Sequence, residues 1–379
     1  MRKILIATFL AGFSLLSPAN TFAFENYKII SRGLTLNVQA RELIAAQVKS
    51  GTTTRGAALA ILQNGNYLLG GGNNGNQIFI YDTQMKKLTN LGAVFSQQAT
   101  NDARFAITDI EPLVESASGI KALVSFPKLQ APANCVRVQV DLVDIDLVKQ
   151  EVQTQSTWFT SDPCVPISAV QHASGKMQKI DENSAYLTVG DLGFRQILDR
   201  EARGDLTSVF RISKNENEKI SLGHRNAQGI VLYRNKYLLT SEHGPRGGDE
   251  LNLIKANTDY GWPFVTLGTE YSSGDYVRPD KINTHEGYEK PMMYWVPSIA
   301  PTDLVELPTN SNWKRWSGQL LMGTLREESL VRIYLNNDLH PTAQDFIKVN
   351  ERIRGLEVSN TGLVVATTDS GKLLEISPS

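Results

Sequence analysis

Residues Gly355–Ser377, GLEVSNTGLVVATTDSGKLLEIS, hold a strand pair parted by the turn at Thr361–Gly362, followed by a third strand at Lys372–Ile376. Apolar and polar residues alternate along the strands, the period of a sheet with one face on a core. The same unit begins at Ala58, Phe105, Lys176, Gly229 and Thr302, with turn residues such as Asn64-Gly65 and Asn183 between the paired strands. Six units with onsets about 50–75 residues apart predict an all-β fold, a six-bladed β-propeller of four-stranded antiparallel blades. A pair of β-sandwiches is the competing architecture, but it requires no sixfold recurrence. The last strand, Lys372–Ile376, is expected to share a blade with an N-terminal strand near Tyr27–Leu34 and so close the ring. The long segments Ser125–Pro166 and Phe264–Pro297 are expected to decorate one face.

Outside the repeats, Arg2 and Lys3 precede the apolar run Ile4–Leu16, and Thr21-Phe22-Ala23 follows, the three parts of a secretory signal peptide with cleavage after Ala23. Residues 1–23 are therefore read as a signal peptide and 24–379 as a single propeller domain. A periplasmic or secreted destination follows. No later segment approaches the roughly 18 apolar residues of a membrane helix. Losing Arg2 and Lys3 takes the formal charge from −1 to −3. With no basic stripe interleaved with aromatics, nucleic acid is excluded as a partner. Cys135 and Cys164, the two cysteines, read as a disulfide in an oxidising compartment. No Cys/His cluster or HExxH supports zinc.

The chemistry concentrates in Gly223–Pro263, GHRNAQGIVLYRNKYLLTSEHGPRGGDELNLIKANTDYGWP. Arg225 and Asn226 precede an apolar strand, so a guanidinium and an amide project from one loop toward an anion. The loop His243–Glu250 carries Gly244, Pro245, Gly247 and Gly248, which let backbone carbonyls turn to one point, and Asp249 and Glu250 add hard oxygens of the kind Ca²⁺ takes. The plainer reading is a tight turn closed by a capping aspartate. Gly70–Gly75 resembles a phosphate loop, but it joins two strands and no helix follows it, which makes it a hairpin loop. Trp262, Trp313 and Trp316 are assigned to packing, and Trp295 to the wall of a cleft.

The segments GHRNAQG, EHGPRGGDELNLI, NTDYGWP, WVPSIAP and NERIRG resemble the soluble quinoprotein sugar dehydrogenases, the glucose/sorbosone dehydrogenase family. The likeness runs from about Gln171 to the C-terminus and more loosely over the first blades. It implies a six-bladed propeller holding pyrroloquinoline quinone (PQQ) and Ca²⁺, an aldose substrate oxidised at its anomeric hydroxyl, and an external electron acceptor. It also implies roles. His172 is the base, and Asp191 orients it and stabilises its imidazolium. Arg225, Asn226, Arg326, Arg352 and Arg354 hold the cofactor's carboxylates. The Gly244 and Pro245 carbonyls bind the Ca²⁺ that polarises the quinone, and Asp249, Glu250, Tyr260 and Glu270 surround a second, structural Ca²⁺.

Four positions depart from the family pattern. TNDARFAITD places Asp102 and Arg104 where the family has a glutamine, Gln171 replaces an aspartate, His243 a glutamine and Arg326 a lysine. Asp102 beside a tricarboxylate is unfavourable unless a cation intervenes. The alternative from another class is a non-catalytic calcium-binding propeller that recognises a glycan or a protein. A calcium-only hydrolase would not need so many arginines. Monomer and homodimer are both compatible with the sequence.

Overall fold

The computed structural model describes residues 24–50, 53–96, 102–167, 172–271 and 277–379. The expected signal peptide, Asn101 and Gln171 lie outside these. The six repeats each become one sheet, antiparallel except where Thr258–Asp259 adds in parallel to Asn217–Leu222. In chain order their innermost strands are Ala58–Ile61, Asp109–Glu115, Ser174–Asp181, Ala227–Tyr233, Pro301–Glu306 and Ile353–Val358, which define blades one to six. Each inner strand touches that of the next blade, and Ile353–Val358 touches Ala58–Ile61. The ring is therefore closed, as a six-bladed propeller requires, and a pair of sandwiches is ruled out.

Closure uses a strand other than the expected one. Lys372–Pro378 pairs along its length with Leu34–Glu42, from Leu36↔Pro378 to Glu42↔Lys372, whereas Phe24–Ser31 pairs with Leu34–Glu42 from outside as a fifth strand. Burial explains the choice. Leu36, Val38 and Ala40 alternate into the core, whereas Ile30 is exposed. Ser125–Pro166 is not a decoration either. Gly119–Gln130 and Cys135–Asp146 pair over their whole length as the long central hairpin of blade two, with Val136, Val138 and Val140 buried on one face. The Phe264–Pro297 segment divides. Met293–Trp295 is the outer strand of blade four, and Val265–Thr266 pairs with Lys281–Ile282 in a small two-stranded sheet.

Cys135 and Cys164 are bridged, closing a loop of 29 residues over this hairpin. Replacing both by serine is expected to cost about 3–4 kcal/mol, measured as a lower denaturant midpoint that reductant reproduces in the parent protein.

Apolar cores lie between neighbouring sheets, and they are unequal. The seams between blades two and three and between five and six are rich in buried Leu, Val, Ile and aromatics. Between blades three and four the buried apolar cluster is only Val209, Ile230 and Leu238. Nearby on these two blades, Ser221, His224, Glu242, Asn252 and Glu250 form a buried hydrogen-bonded chain. This is also the seam where the sequence concentrates its chemistry. Among the described residues no helix is long and apolar enough to cross a membrane.

Candidate functional site

In an antiparallel hairpin the start of the first strand lies beside the end of the second, so one face of the ring collects the residues before each inner strand and after its partner. Register fixes which ones meet. Ser174↔Val189 brings His172 to Asp191, Ala227↔Glu242 brings Arg225 to Gly244, and Ile353↔Thr368 brings Arg352 and Arg354 to Asp369.

Below this face the channel is crossed by a charged brace. Lys176 Nζ donates to Asp109 Oδ1 at 3.1 Å and to Asp303 Oδ2 at 2.9 Å, joining the inner strands of blades three, two and five. Above the brace a cavity of about 280 Å³ is lined by Arg55, Arg104, His172, Lys176, Gln228 and Arg354. Below it a cavity of about 390 Å³ is lined by Asp109, Glu111, Asp303, Glu306 and Glu357. One end of the axis is cationic and the other acidic.

The acidic end has a consequence for stability. Burial, then the neighbouring Asp109, pushes Glu111 up to about 8. Burial, then Glu111, Asp303 and Asp109, holds Glu357 well above the carboxylate range. An unfolded chain ionises both near pH ~4.3. The fold therefore binds more protons than the unfolded chain above that pH. The associated stability is full below pH ~4.3 and is lost progressively as pH rises from there toward 8. Glu111→Gln and Glu357→Gln are expected to match the parent protein near pH 4 and to gain on it by up to a few kcal/mol near pH 9, read by urea titration at the two pH values.

At the cationic end, His172 Nδ1 and Asp191 Oδ1 are 2.9 Å apart, and Arg225 Nη2 stands 3.2 Å from His172 Nε2. A guanidinium only donates, so Nε2 is the acceptor and the ring carries its proton on Nδ1, toward Asp191. Burial first and the Arg225 charge second push the imidazole below its ordinary value, against the pull of Asp191. Burial alone would raise Asp191, but His172, Arg225 and the Gly193 amide hold it below its ordinary value. The result is a neutral imidazole backed by a carboxylate, a base with its basic nitrogen at the cavity wall. The backbone makes this possible at Gly190, where an added Cβ would lie 1.8 Å from the His172 carbonyl oxygen.

The arginines divide. Arg354 lines the cavity, and with Arg352 it grips Asp369 through contacts of 3.0 Å. The alternation Arg352-Ile353-Arg354 does bring both guanidinia to one carboxylate. Arg326 is exposed, and its amide bonds the Ile299 carbonyl. Asn226 is buried, with Ser174 Oγ and Gln228 Nε2 each 3.4 Å from its Oδ1. Arg104 makes a bidentate pair with Asp102, its Nη2 2.7 Å from Oδ2. The cation required beside Asp102 is thus its own neighbour.

Arg55, which the sequence reading missed, lies shortly before the inner strand of blade one, as Arg225 lies shortly before that of blade four. Burial, then Arg354, lowers it to about 10. Its segment TTTRGA, which holds the short strand Thr53–Arg55, has no motif to flag it, although its place just before an inner strand is the same signal. Nε of Arg55 and Nε of Arg225 are buried without an acceptor among the described residues. Buried N–H groups of this charge suit an anionic ligand.

At the glycine loop, the Gly244 carbonyl accepts from Arg225 Nη1 at 2.5 Å and the Pro245 carbonyl from the Tyr271 hydroxyl at 3.0 Å. Both oxygens are capped by side chains rather than by a sheet ladder. They suit a hard cation whose remaining ligands come from a bound molecule. Of the proposed second metal set, Glu250 and Tyr260 line one small cavity with Gly244 and His285, whereas Asp249 and Glu270 are not among its lining residues. Asp249 spends Oδ1 on the Gly244 amide and Oδ2 on Ser298, Ile299 and Ala300, the work of a loop clamp. Glu250 faces Asn252 and His285, the Tyr260 hydroxyl bonds the Leu253 carbonyl, and Glu270 is exposed. Among the described residues no three His, Cys, Asp or Glu side chains are grouped to hold a metal.

Two tryptophans also differ from expectation. Trp295 is buried between blades four and five with Nε1 on Gln344, so it does not line a cleft. Trp262 does more than pack, because its Nε1 donates to Asp191 Oδ2 at 3.0 Å.

The sequence profile of the family described as glucose/sorbosone dehydrogenase matches residues 58–375. Aldose sugar dehydrogenase YliI of Escherichia coli is 32% identical over 162 residues, 42% of this chain and 43% of its own length. Quinoprotein glucose dehydrogenase B of Acinetobacter calcoaceticus is 31% identical over 291 residues, 54% of this chain and 61% of its own. The matched regions thus span about two-fifths to three-fifths of these relatives. The apo-form of the soluble aldose sugar dehydrogenase of Escherichia coli superposes with a TM-score of 0.74 over 90% of this chain and 100% of that one, at 21% identity. The PQQ-bound aldose sugar dehydrogenase of Streptomyces coelicolor does so with a TM-score of 0.66 over 90% and 98%, also at 21% identity. At that identity the two structures speak for the fold.

Proposed function

The chain belongs to the glucose/sorbosone dehydrogenase family, and from that premise we propose that it is an exported, PQQ- and Ca²⁺-dependent aldose dehydrogenase that oxidises the anomeric hydroxyl to a lactone. The observation that carries the reading is the neutral His172, Nδ1 toward Asp191, at the wall of a cation-lined cavity on the propeller axis. When bound, PQQ supplies the two-electron acceptor for the anomeric carbon, and an external acceptor then reoxidises it.

The chain's own residues do the rest. Arg55, Arg225 and Arg354 offer their guanidinia to the cofactor's carboxylates, with Asn226 beside them and Arg326 and Arg352 at the rim. The Gly244 and Pro245 carbonyls would hold the Ca²⁺. Once the Arg225 guanidinium turns from His172 Nε2 to a bound carboxylate, that nitrogen takes the proton of the anomeric hydroxyl, and Asp191 stabilises the resulting imidazolium. Turnover requires His172 neutral, so activity rises with pH through a midpoint below the ordinary imidazole value.

The test is a titration of metal-stripped protein with PQQ and Ca²⁺, followed by an aldose panel with a dye acceptor. Stoichiometric binding is expected, with sugar-dependent bleaching that His172→Ala abolishes while still binding PQQ. No binding at micromolar PQQ with Ca²⁺ present would overturn the assignment and favour a non-catalytic propeller that recognises a glycan or protein on this face.

A further inference from the structure

We infer that Trp262 is a positioning residue for His172, acting through Asp191; the inference rests on the reading of His172 as the base. Asp191 is fully buried. Its Oδ1 takes the His172 ring and the Gly193 amide, at 2.9 and 2.8 Å. Its Oδ2 takes the Trp262 indole at 3.0 Å. The two Oδ1 contacts cannot by themselves fix the plane of the carboxylate, because the torsion about Cβ–Cγ is broad and roughly two-fold. The indole N–H on the other oxygen does fix it. It also satisfies an oxygen that would otherwise be a buried, unpartnered anion.

The indole is held from two sides. The Trp262 amide donates to the Gly223 carbonyl at 3.0 Å, tying it to the loop that carries Arg225, and the guanidinium of Arg225 lies 5.2 Å above the ring. Trp262 therefore touches both partners of the imidazole, the carboxylate on the Nδ1 side and the cation on the Nε2 side. A residue that only filled space here would need the ring and not its N–H. In the folded protein the Trp262 N–H sets the plane of Asp191, and that plane, together with the Arg225 donor at Nε2, sets the tautomer of His172. Asp191 and Arg225 act on the imidazole directly, and His243 acts on it from farther off.

The test compares Trp262→Phe, and the sulfur isostere benzothienylalanine placed at 262, with the parent protein. The isostere removes the N–H and keeps the ring shape, so it serves if the phenylalanine variant does not fold. In ¹⁵N-labelled protein without metal or cofactor, the His172 ring nitrogens, assigned by their loss in His172→Gln, report the tautomer directly. The parent is expected to show a protonated Nδ1 and a bare Nε2, and both variants a mixture of tautomers. In loaded protein kcat is expected to fall about 10-fold with KM within about twofold. An unchanged tautomer in both variants overturns the inference, and so does a kcat equal to the parent's in the isostere. Failure of the dehydrogenase reading is separate. It would appear as no sugar turnover by the parent protein, while the tautomer measurement needs neither cofactor nor sugar.

Discussion

Lys176→Met is expected to destabilise the propeller by about 3–5 kcal/mol, the cost of removing one partner from a buried ion pair. Asp109 and Asp303 would be left facing each other across the channel, with Glu111 and Glu357 on the same acidic side. The electrostatics already show the tension. Burial, opposed by Lys176 and reinforced by Asp303, raises Asp109 to about 6, and burial raises Asp303 as well. The two carboxylates in turn hold Lys176 above its ordinary value in spite of burial. Without the lysine both aspartates would titrate higher still. The loss in Lys176→Met should therefore be larger at pH 8 than at pH 5, where protonation relieves the repulsion. Urea unfolding at the two pH values measures it. Adding Asp109→Asn and Asp303→Asn to the variant should recover most of the loss, because uncharged side chains remove the repulsion. A loss under about 1 kcal/mol would mean that water reaches the brace freely and that it contributes little, as exposed pairs do.

Asp191→Asn is expected to lower kcat by about 10³–10⁴ with little change in cofactor affinity, the scale seen when a base is held in the wrong tautomer. An amide that turns its NH₂ toward His172 donates to Nδ1 and forces the ring proton onto Nε2, which then faces the donors of Arg225 and has no lone pair for a sugar hydroxyl. An amide that turns its oxygen toward His172 instead presents its NH₂ to the Trp262 N–H, a clash of donors. The first orientation reverses the tautomer and sets the amide NH₂ against the Gly193 N–H, and the second breaks the contact with Trp262. Steady-state rates over pH 5–9, with PQQ binding followed separately, distinguish this from loss of the site. A variant within tenfold of the parent at every pH would remove Asp191 from the mechanism.

The readable part of the site has a common form. His172 with Asp191, Arg225 with Gly244, and Arg352 and Arg354 with Asp369 are each joined by the register of one hairpin, a few residues beyond a visible strand pair. Short-range geometry makes such pairs predictable. Arg55 escaped notice because the segment around it has no motif. Asp249 was read as a metal ligand because a carboxylate after glycines looks alike whether it binds an ion or caps backbone amides. Only its four donors decide that, and three of them come from residues 298–300 on another loop.

What the sequence by itself determined was local and repeated: the alternation along strands, the turns between them, the number of blades and the disulfide pair. Period-two burial and turn chemistry act over a few residues, so they can be read without knowing where a strand goes. The tertiary structure alone decided what meets at the axis and between blades. Lys176 finds Asp109 and Asp303 at separations of 67 and 127 residues, and Trp262 finds Asp191 at 71. Five of the six inner strands carry polar residues, whereas Ala58–Ile61 carries none. Which of them touch depends on the tilt and register of sheets that contact one another only after the ring has closed.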